Sequence, residues 1–202
     1  MKNFIISSIC GRCGTAFLSS QMNKSKMWTV EHEPNNPIAK DELEEEIENI
    51  QKRFDQNYYG EVNSHLRFFL DRYDVEKCGF IIRNPYHIYL SLINRYHSKP
   101  HLHKTTYYDT VTQGYTLIPK QSENVKLIIF EEMVKNKEYL KEIFDFFGVY
   151  DVDIDKINLK NKINKTKNFR YRLDHISDIS FANEYRLYTE YRKKLLTGGK
   201  HG

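Results

Sequence analysis

The chain has 202 residues, 40% of them hydrophobic and 14% aromatic, and its 31 Lys+Arg against 27 Asp+Glu give a formal net charge of +4. A chain of this length buries about 70% of its unfolded surface as one domain, without a disulfide or metal, and its composition excludes disorder. No apolar run approaches the ~18 residues of a membrane span, and the net charge is too small to indicate nucleic-acid binding, so we expect neither partner.

The same composition leads to expectations about domains and compartment. We expect a single domain over residues 1–197, followed by a flexible tail at 198–202. The first apolar run, residues 4–9, is too short for a signal peptide. Three cysteines cannot all pair, which favours a reduced, cytoplasmic protein.

Strands and helices alternate along the predicted chain. Short apolar, β-branched runs predict strands at residues 3–8, 28–32, 79–83 and 125–130. Amphipathic patterns between them predict helices at residues 15–22, 41–58, 62–72, 85–97, 131–147 and 179–196. Near-continuous apolarity is typical of strands covered on both faces. The pattern therefore predicts an α/β domain in three layers, with a mostly parallel central sheet flanked by helices.

The turn after the first strand, residues 10–16, reads CGRCGTA. Ligands in such folds bind at the carboxyl ends of strands. Gly11 and Gly14 permit a tight turn, the next helix starts there, Arg12 adds a cation and Thr15 a hydroxyl. This combination predicts a site for phosphate or a similar anion, although a ligand-free turn is the alternative. No lysine follows Gly14, so the turn is not a Walker A loop.

The same turn supports a rival hypothesis. Cys10 and Cys13 form a C-x-x-C pair between a strand and a helix, which is typical of thioredoxin-type chemistry. Cys78 is the only other cysteine, and no histidine lies at a paired ligand spacing, so a zinc site is disfavoured.

A second anion element follows the strand at residues 79–83. Arg83 ends this strand, and Ser91 comes eight residues later in the predicted helix. A guanidinium and a hydroxyl placed in this way could converge on one oxyanion. The alternative is a surface ion pair for Arg83 and simple packing for Ser91.

Together these segments resemble the sulfotransferases that use 3′-phosphoadenosine 5′-phosphosulfate (PAPS). The sequence Arg12-Cys13-Gly14-Thr15-Ala16 resembles their Arg/Lys-Ser-Gly-Thr/Ser-Thr/Ser loop, which binds the 5′-phosphosulfate. Arg83-Asn84-Pro85, with Ser91, resembles their 3′-phosphate element. Residues 125–135 and 140–148 are similar to their later strand, Tyr/Phe-Glu-Asp-Leu turn and helix.

The resemblance covers roughly residues 1–150 and implies a P-loop-like nucleotide-binding fold. It implies transfer of a sulfuryl group from PAPS to a hydroxyl or amine acceptor, without a metal. The implied nucleotide-binding residues in the first loop are Cys10, Gly11, Arg12, Cys13, Gly14, Thr15 and Ala16. Cys13 and Ala16 replace hydroxyl residues of the family pattern, which removes two contacts. The C-x-x-C spacing then becomes a coincidence.

Sulfuryl transfer also needs positive charge at the leaving phosphate and a base for the acceptor proton. Arg12 and the helix N-terminus would supply the charge. Glu33 lies 21 residues after Arg12, and its position resembles that of the glutamate base of tyrosylprotein sulfotransferases. Other sulfotransferases use a histidine, which keeps His32 as an equal candidate. Glu61, expected to open a helix after a glycine, ranks behind them. Each candidate also has a structural alternative. Glu33 could be a solvated loop acid, His32 a hydrogen-bonded histidine of a strand, and Glu61 a charge at a helix N-terminus.

Residues 156–172 contain seven Lys/Arg and no acid. In the family a late basic loop closes over the nucleotide, so Lys165, Lys167 and Arg170 are candidates for this role. A solvated surface would have the same composition.

The acceptor is expected to be a small molecule or a glycan. Tyr107, Tyr108 and Tyr115 could stack on it or belong to the core. The chain is short for the family, so a second subunit of a homodimer could complete the acceptor lid.

Two functions of other classes remain. The first is a nucleotide-binding module or P-loop-like kinase without sulfate transfer. The second is an interaction protein that uses the helix at residues 41–58 as a partner surface.

Overall fold

Apolar strands form the centre of the molecule. The computed structural model describes residues 2–34, 43–95, 105–159 and 181–197, without the side chains of residues 43–46 and 94. Five strands form one sheet in the order β2-β3-β1-β4-β5, and every neighbouring pair is parallel. They are β1 (Asn3–Ser8), β2 (Thr29–His32), β3 (Tyr59–Val62), β4 (Lys77–Ile82) and β5 (Val125–Ile129).

Helices connect these strands. They are α1 (Thr15–Met22), α2 (Leu43–Phe54), α3 (Pro85–Arg95), α4 (Gln113–Thr116), α5 (Phe130–Met133), α6 (Lys137–Phe146) and α7 (Ala182–Thr197). A π-helical segment, Tyr107–Thr112, leads into α4, and short 3₁₀ turns cover Ser64–Phe68, Leu70–Arg72 and Ile154–Lys156. No helix among the described ranges is long and apolar enough to cross a membrane.

Apolar side chains pack on both faces of the sheet. Alternate residues of β1 point to opposite faces, so Ile5 and Phe4 belong to different clusters. Ile5 packs with the apolar face of α2, which includes Ile50 and Phe54, and Phe4 packs in the cluster that contains Leu18 of α1. The predicted three-layer α/β architecture is therefore confirmed.

Strand β3, which lies between β2 and β1, was not expected. Its short sequence, YGEV, contains a glycine and a glutamate, so it lacks the apolar pattern of its neighbours. Gly60 is needed because a Cβ there would lie 2.2 Å from the ring of Phe4. The helix predicted at residues 62–72 is wrong, since Val62 ends β3 and two 3₁₀ turns, Ser64–Phe68 and Leu70–Arg72, follow it. The Asn63 side chain caps the first turn by accepting a hydrogen bond from the His65 N–H.

The helix predicted at residues 131–147 is two helices. Asn136 separates α5 from α6, and its side chain accepts a hydrogen bond of 3.1 Å from the Tyr139 N–H. The sequence reads through this break because apolar spacing continues across it. Gly148 follows α6 with φ of +73°, as expected for a glycine that ends a helix.

The strand order creates a crevice at the carboxyl edge of the sheet. The chain leaves β1 toward β2 and β3 on one side, then returns past β1 to β4 and β5 on the other. In open parallel sheets, ligands bind where the direction reverses in this way. Ser8 of β1 pairs with Ile81 of β4, and the Ile9 N–H donates to the Ile81 carbonyl at 3.2 Å. The loops after β1 and β4 therefore start at the same height.

Candidate functional site

The loop between β1 and α1 has a backbone that only glycine suits at its last position. Gly14 has φ of +85°, and a Cβ there would lie 2.5 Å from the Phe130 ring. Helix α1 begins directly afterwards, where the Leu18 N–H donates to the Gly14 carbonyl at 3.0 Å. The positive end of the α1 dipole is thus at the loop, which favours an anion.

Arg12 joins the loop to the element that follows β4. Its Nε donates a hydrogen bond of 2.8 Å to the Ser91 hydroxyl on α3, and Arg83 Nη1 donates to the Arg12 carbonyl. The structure therefore brings together the three residues that the sequence analysis placed at opposite phosphate ends. Their role in binding a nucleotide stays a prediction.

Arg83 is fixed by neighbours that leave part of its guanidinium unused. Its guanidinium lies 4.2 Å from the centre of the Phe130 ring, and its backbone carbonyl accepts a hydrogen bond from the Tyr115 hydroxyl. Arg83 Nε is buried and has no hydrogen-bond partner among the described residues. Glu131 shapes the same turn by accepting from the Asn84 N–H at 3.1 Å. An anion within hydrogen-bond distance of Arg83 Nε would satisfy this buried donor.

Both leading base candidates lie at the other side of the loop. His32 ends β2, and its Nε2 is 3.1 Å from the Thr15 hydroxyl at the start of α1. Glu33 follows with φ of +45°, an uncommon conformation for a residue with a side chain. The Ser64 hydroxyl donates to Glu33 Oε1 at 2.6 Å, and the Ser64 N–H to the same atom at 3.4 Å.

The placement predicted for Glu61 is wrong. Glu61 does not open a helix but lies within β3, and it is fully buried. Its carboxylate pairs with Arg53 Nη2 at 2.9 Å and accepts from Asn63 Nδ2 at 2.8 Å. The Tyr59 hydroxyl approaches it at 3.4 Å. Both oxygens therefore have structural partners, although a role of Glu61 as base stays an untested prediction.

Ser64 and Arg67 are the site residues that the sequence analysis missed. Arg67 is only 8% exposed, its Nη1 donates to the Ser64 carbonyl at 2.6 Å, and its buried Nε has no partner within the described chain. Burial lowers the pKa of this guanidinium, and nearby Cys10 and Glu33 act in the opposite direction. Recognition of β3 would have found both residues, because they follow the carboxyl end of a strand.

The two loop cysteines face each other inside the protein. Their sulfurs are 3.8 Å apart, Cys10 is 3% exposed and Cys13 is fully buried. The contact with Cys13 lowers the pKa of Cys10, and burial raises the pKa of Cys13. Gly11 is exposed and Ala16 is partly buried. Neither Cys13 nor Ala16 carries a hydroxyl group, so the two contacts of the family pattern are missing from this loop.

The remaining predicted residues divide into three groups. Lys165, Lys167 and Arg170 lie outside the described residues. Tyr107 and Tyr115 are buried in the core, whereas Tyr108 is exposed.

In the described ranges, no three or more His, Cys, Asp or Glu side chains are grouped to hold a metal ion. Independence of the reaction from metals stays a prediction.

Comparisons with known proteins identify the fold. No family model matches the sequence, and no curated protein matches it significantly. Among solved structures, a sulfotransferase from Alicyclobacillus acidocaldarius is 15% identical with a TM-score of 0.59, covering 96% of this chain and 94% of that one. The sulfotransferase domain of the Synechococcus PCC 7002 olefin synthase is 17% identical with a TM-score of 0.52, covering 94% of this chain and 86% of that one. The chain therefore has the α/β fold of the sulfotransferases.

Proposed function

We propose that the protein is a sulfotransferase that moves the sulfuryl group of PAPS to a hydroxyl or amine of a small-molecule or glycan acceptor. The observation that carries this proposal is the convergence of the β1–α1 loop with Arg83 and Ser91. Arg12 contacts both residues across the crevice. The fold shared with two sulfotransferases supports the same reaction class.

The polar groups of the crevice suit a ligand with anionic groups at two ends. Two buried guanidinium nitrogens, Nε of Arg83 and Nε of Arg67, have no hydrogen-bond partner among the described residues. Buried donors are rarely left unpaired, so each favours an acceptor oxygen nearby. PAPS has phosphosulfate oxygens at one end and a 3′-phosphate at the other. We assign the phosphosulfate to the loop around Arg12 and the 3′-phosphate to Arg83 and Ser91.

Bound PAPS would supply the activated sulfuryl group. The protein contributes position and charge, since the acceptor oxygen must lie in line with the leaving phosphate. Arg12 and the N-terminus of α1 lie where negative charge grows on the leaving group. The guanidinium charge and the helix dipole are already in position, so they need little reorganisation as the reaction proceeds. Thr15 adds a hydroxyl at the first turn of α1, and its contact with His32 fixes its direction.

Glu33 is the base in this proposal. Both of its hydrogen bonds from Ser64 go to Oε1, and no bond to Oε2 occurs within the described residues. Oε2 is therefore the atom that takes the acceptor proton. His32, held against Thr15, orients that hydroxyl and is the alternative base.

A second function keeps support from the sequence of the loop. Cys13 and Ala16 stand where the family has hydroxyl residues, and the Cys13 side chain is turned to Cys10 rather than to the crevice. A nucleotide-binding module or P-loop-like kinase without sulfate transfer would tolerate both substitutions.

Thermal unfolding in the presence of nucleotides separates these functions. We expect adenosine 3′,5′-bisphosphate to raise Tm more than ATP or AMP, because only it offers both anionic ends of PAPS. Arg83→Gln should reduce this response, while the exposed Arg186→Gln should not. A larger response to ATP would favour the second function. Transfer of labelled sulfate from PAPS to a panel of sugars, phenols, peptides and lipids would then identify the acceptor.

A further inference from the structure

Two thiols bracket the cationic tip of the β1–α1 loop. Cys10 and Cys13 stand on either side of Gly11 and Arg12, and their sulfurs are 3.8 Å apart. We propose that Cys10 and Cys13 form a reversible disulfide that weakens the anion-binding state of this loop. The effect on nucleotide binding rests on the proposed function, whereas the redox site does not.

The geometry permits the bond after a small movement. A disulfide is about 2.05 Å long, so the two sulfurs already in contact must approach further. Exposed Gly11 can absorb the backbone change because it has no side chain. Both sulfurs are buried and face each other, so no other side chain has to move out of the space between them.

The two thiols have different chemical roles. A thiolate is the attacking species, and Cys10 is the better thiolate because the contact with Cys13, 3.8 Å between the sulfurs, lowers its pKa and Arg67 and Arg83 lie nearby. Cys10 is only 3% exposed, so the loop must first open at Gly11. Cys10 then attacks oxidised glutathione, forms a mixed disulfide and releases one glutathione thiolate, while the Cys10 proton goes to solvent. Cys13 then attacks Cys10 Sγ of the mixed disulfide, and its proton passes to the departing glutathione thiolate, which leaves as the second reduced glutathione. Two thiols are oxidised and one glutathione disulfide is reduced.

Closing the bond would disturb the contacts that define the site. The Arg12 carbonyl accepts from Arg83, and the Arg12 side chain donates to Ser91. Both contacts depend on the loop segment between the two cysteines, so a loop pulled toward a disulfide moves Arg12 away from at least one partner. The oxidised protein should bind a phosphosulfate-like anion more weakly.

Cys78 provides an internal control. It lies in β4, and burial raises its pKa to about 12, which disfavours the thiolate. It should therefore remain reduced under conditions that oxidise the loop pair.

The test equilibrates the full-length protein with mixtures of reduced and oxidised glutathione. Alkylation and peptide mapping by mass spectrometry then locate any disulfide. In parallel, calorimetry measures the affinity for adenosine 3′,5′-bisphosphate in the fully reduced and fully oxidised states. Cys13→Ser and Cys78→Ala are measured in the same way, each variant being compared only with itself in the two redox states.

We expect a Cys10–Cys13 disulfide with Cys78 still alkylated, and an affinity about tenfold weaker in the oxidised state that reductant restores. Cys78→Ala should keep this ratio, and Cys13→Ser should lose it. By reciprocity, saturating nucleotide should raise the midpoint potential of the pair by about 30 mV for a tenfold effect.

Two results would overturn the proposal. One is a loop pair that stays alkylated in the most oxidising mixture, and the other is a formed disulfide that leaves the affinity unchanged. An absence of binding in both redox states would instead contradict the proposed function, and with it the switching effect. The mass measurement would still decide whether the pair is a redox site.

Discussion

At the scale of single residues, the site depends on side chains held by neighbours on other strands. Glu33 has an uncommon backbone conformation with φ of +45°, and the Ser64 hydroxyl at 2.6 Å orients its carboxylate. Strained backbone is often kept where it positions a reacting group. The backbone conformation of Glu33 and its hydrogen bond from Ser64 therefore favour Glu33 over His32 as the proposed base.

Exchange of each base candidate for glutamine tests this assignment. We expect Glu33→Gln to lower kcat by roughly 10²–10⁴-fold, because an amide cannot take the acceptor proton. Affinity for adenosine 3′,5′-bisphosphate should change little, since the carboxylate does not contact the nucleotide in this proposal. His32→Gln should have a smaller effect, and the exposed Glu123→Gln should have none. If only His32→Gln abolished turnover, His32 would be the base, and full activity of both variants would contradict the assignment.

At the scale of elements, polar contacts attach α2 to the sheet. Arg53 of α2 is 20% exposed and pairs at 2.9 Å with Glu61, which is fully buried in β3. Asn63 and Tyr59 add hydrogen bonds to the same carboxylate. This network explains how a short strand that contains a glutamate can lie inside the sheet, between β2 and β1.

Removal of the cation should destabilise the fold. We expect Arg53→Met to lower the free energy of unfolding by about 3 kcal/mol, because Glu61 is left buried without its ion pair. Urea denaturation measures this loss. Arg186→Met is the matched control, since its pair with Glu190 is exposed and worth about 0–1 kcal/mol. Equal effects of the two substitutions would show that the Glu61 network does not stabilise the sheet.

The element that follows the π-helical segment packs directly on the β1–α1 loop. A Cβ at Gly114 would lie 2.2 Å from the Ile9 carbonyl oxygen. Gly114→Ala should therefore cost about 1–3 kcal/mol, because a backbone atom cannot move aside as a flexible side chain can. Thermal unfolding measures the change. Gly148→Asn is a suitable control, since a Cβ there meets nothing within 3.7 Å and asparagine tolerates a positive φ. An unchanged Tm for Gly114→Ala would contradict the close packing.

At the scale of the whole molecule, a buried cysteine thiol and several buried tyrosine hydroxyls make the stability of the fold depend on pH. Burial raises the pKa of Cys78 and of Tyr139 to about 12, and it raises the pKa of Tyr59 and Tyr115 as well. These groups stay protonated in the folded state at pH values where the unfolded chain has lost their protons. Their contribution to stability is present below the unfolded pKa and is lost as the pH rises toward the folded value.

We therefore expect the urea midpoint to fall as the pH rises from 9.0 to about 12. Each buried group contributes a slope of about 1.4 kcal/mol per pH unit within its own window. Cys78→Ala should reduce the slope in the first part of this range, while the exposed Tyr150→Phe should leave it unchanged. A flat profile would contradict the burial of these groups.

The sequence alone was sufficient to predict the α/β class and four of the five strands of the sheet. It predicted β1, β2, β4 and β5 as short runs, and these strands are confirmed, whereas anion binding by the loop after β1 stays a prediction. Runs of apolar residues are local features of a sequence, so they can be recognised without knowing which strands pair. The sequence failed at β3, whose buried Glu61 is acceptable only because Arg53 comes from another element.

What the tertiary structure decided was which residues meet. Pairing between parallel strands joins segments far apart in the chain, so no local pattern encodes the order β2-β3-β1-β4-β5. That order brings Ser64 to Glu33, and Arg12 to both Arg83 and Ser91. The structure also shows that Cys10 and Cys13, whose C-x-x-C spacing the resemblance made a coincidence, are two buried thiols in contact. Residue types and spacing thus determined the chemistry that is available, and non-local strand pairing determined which groups share one site.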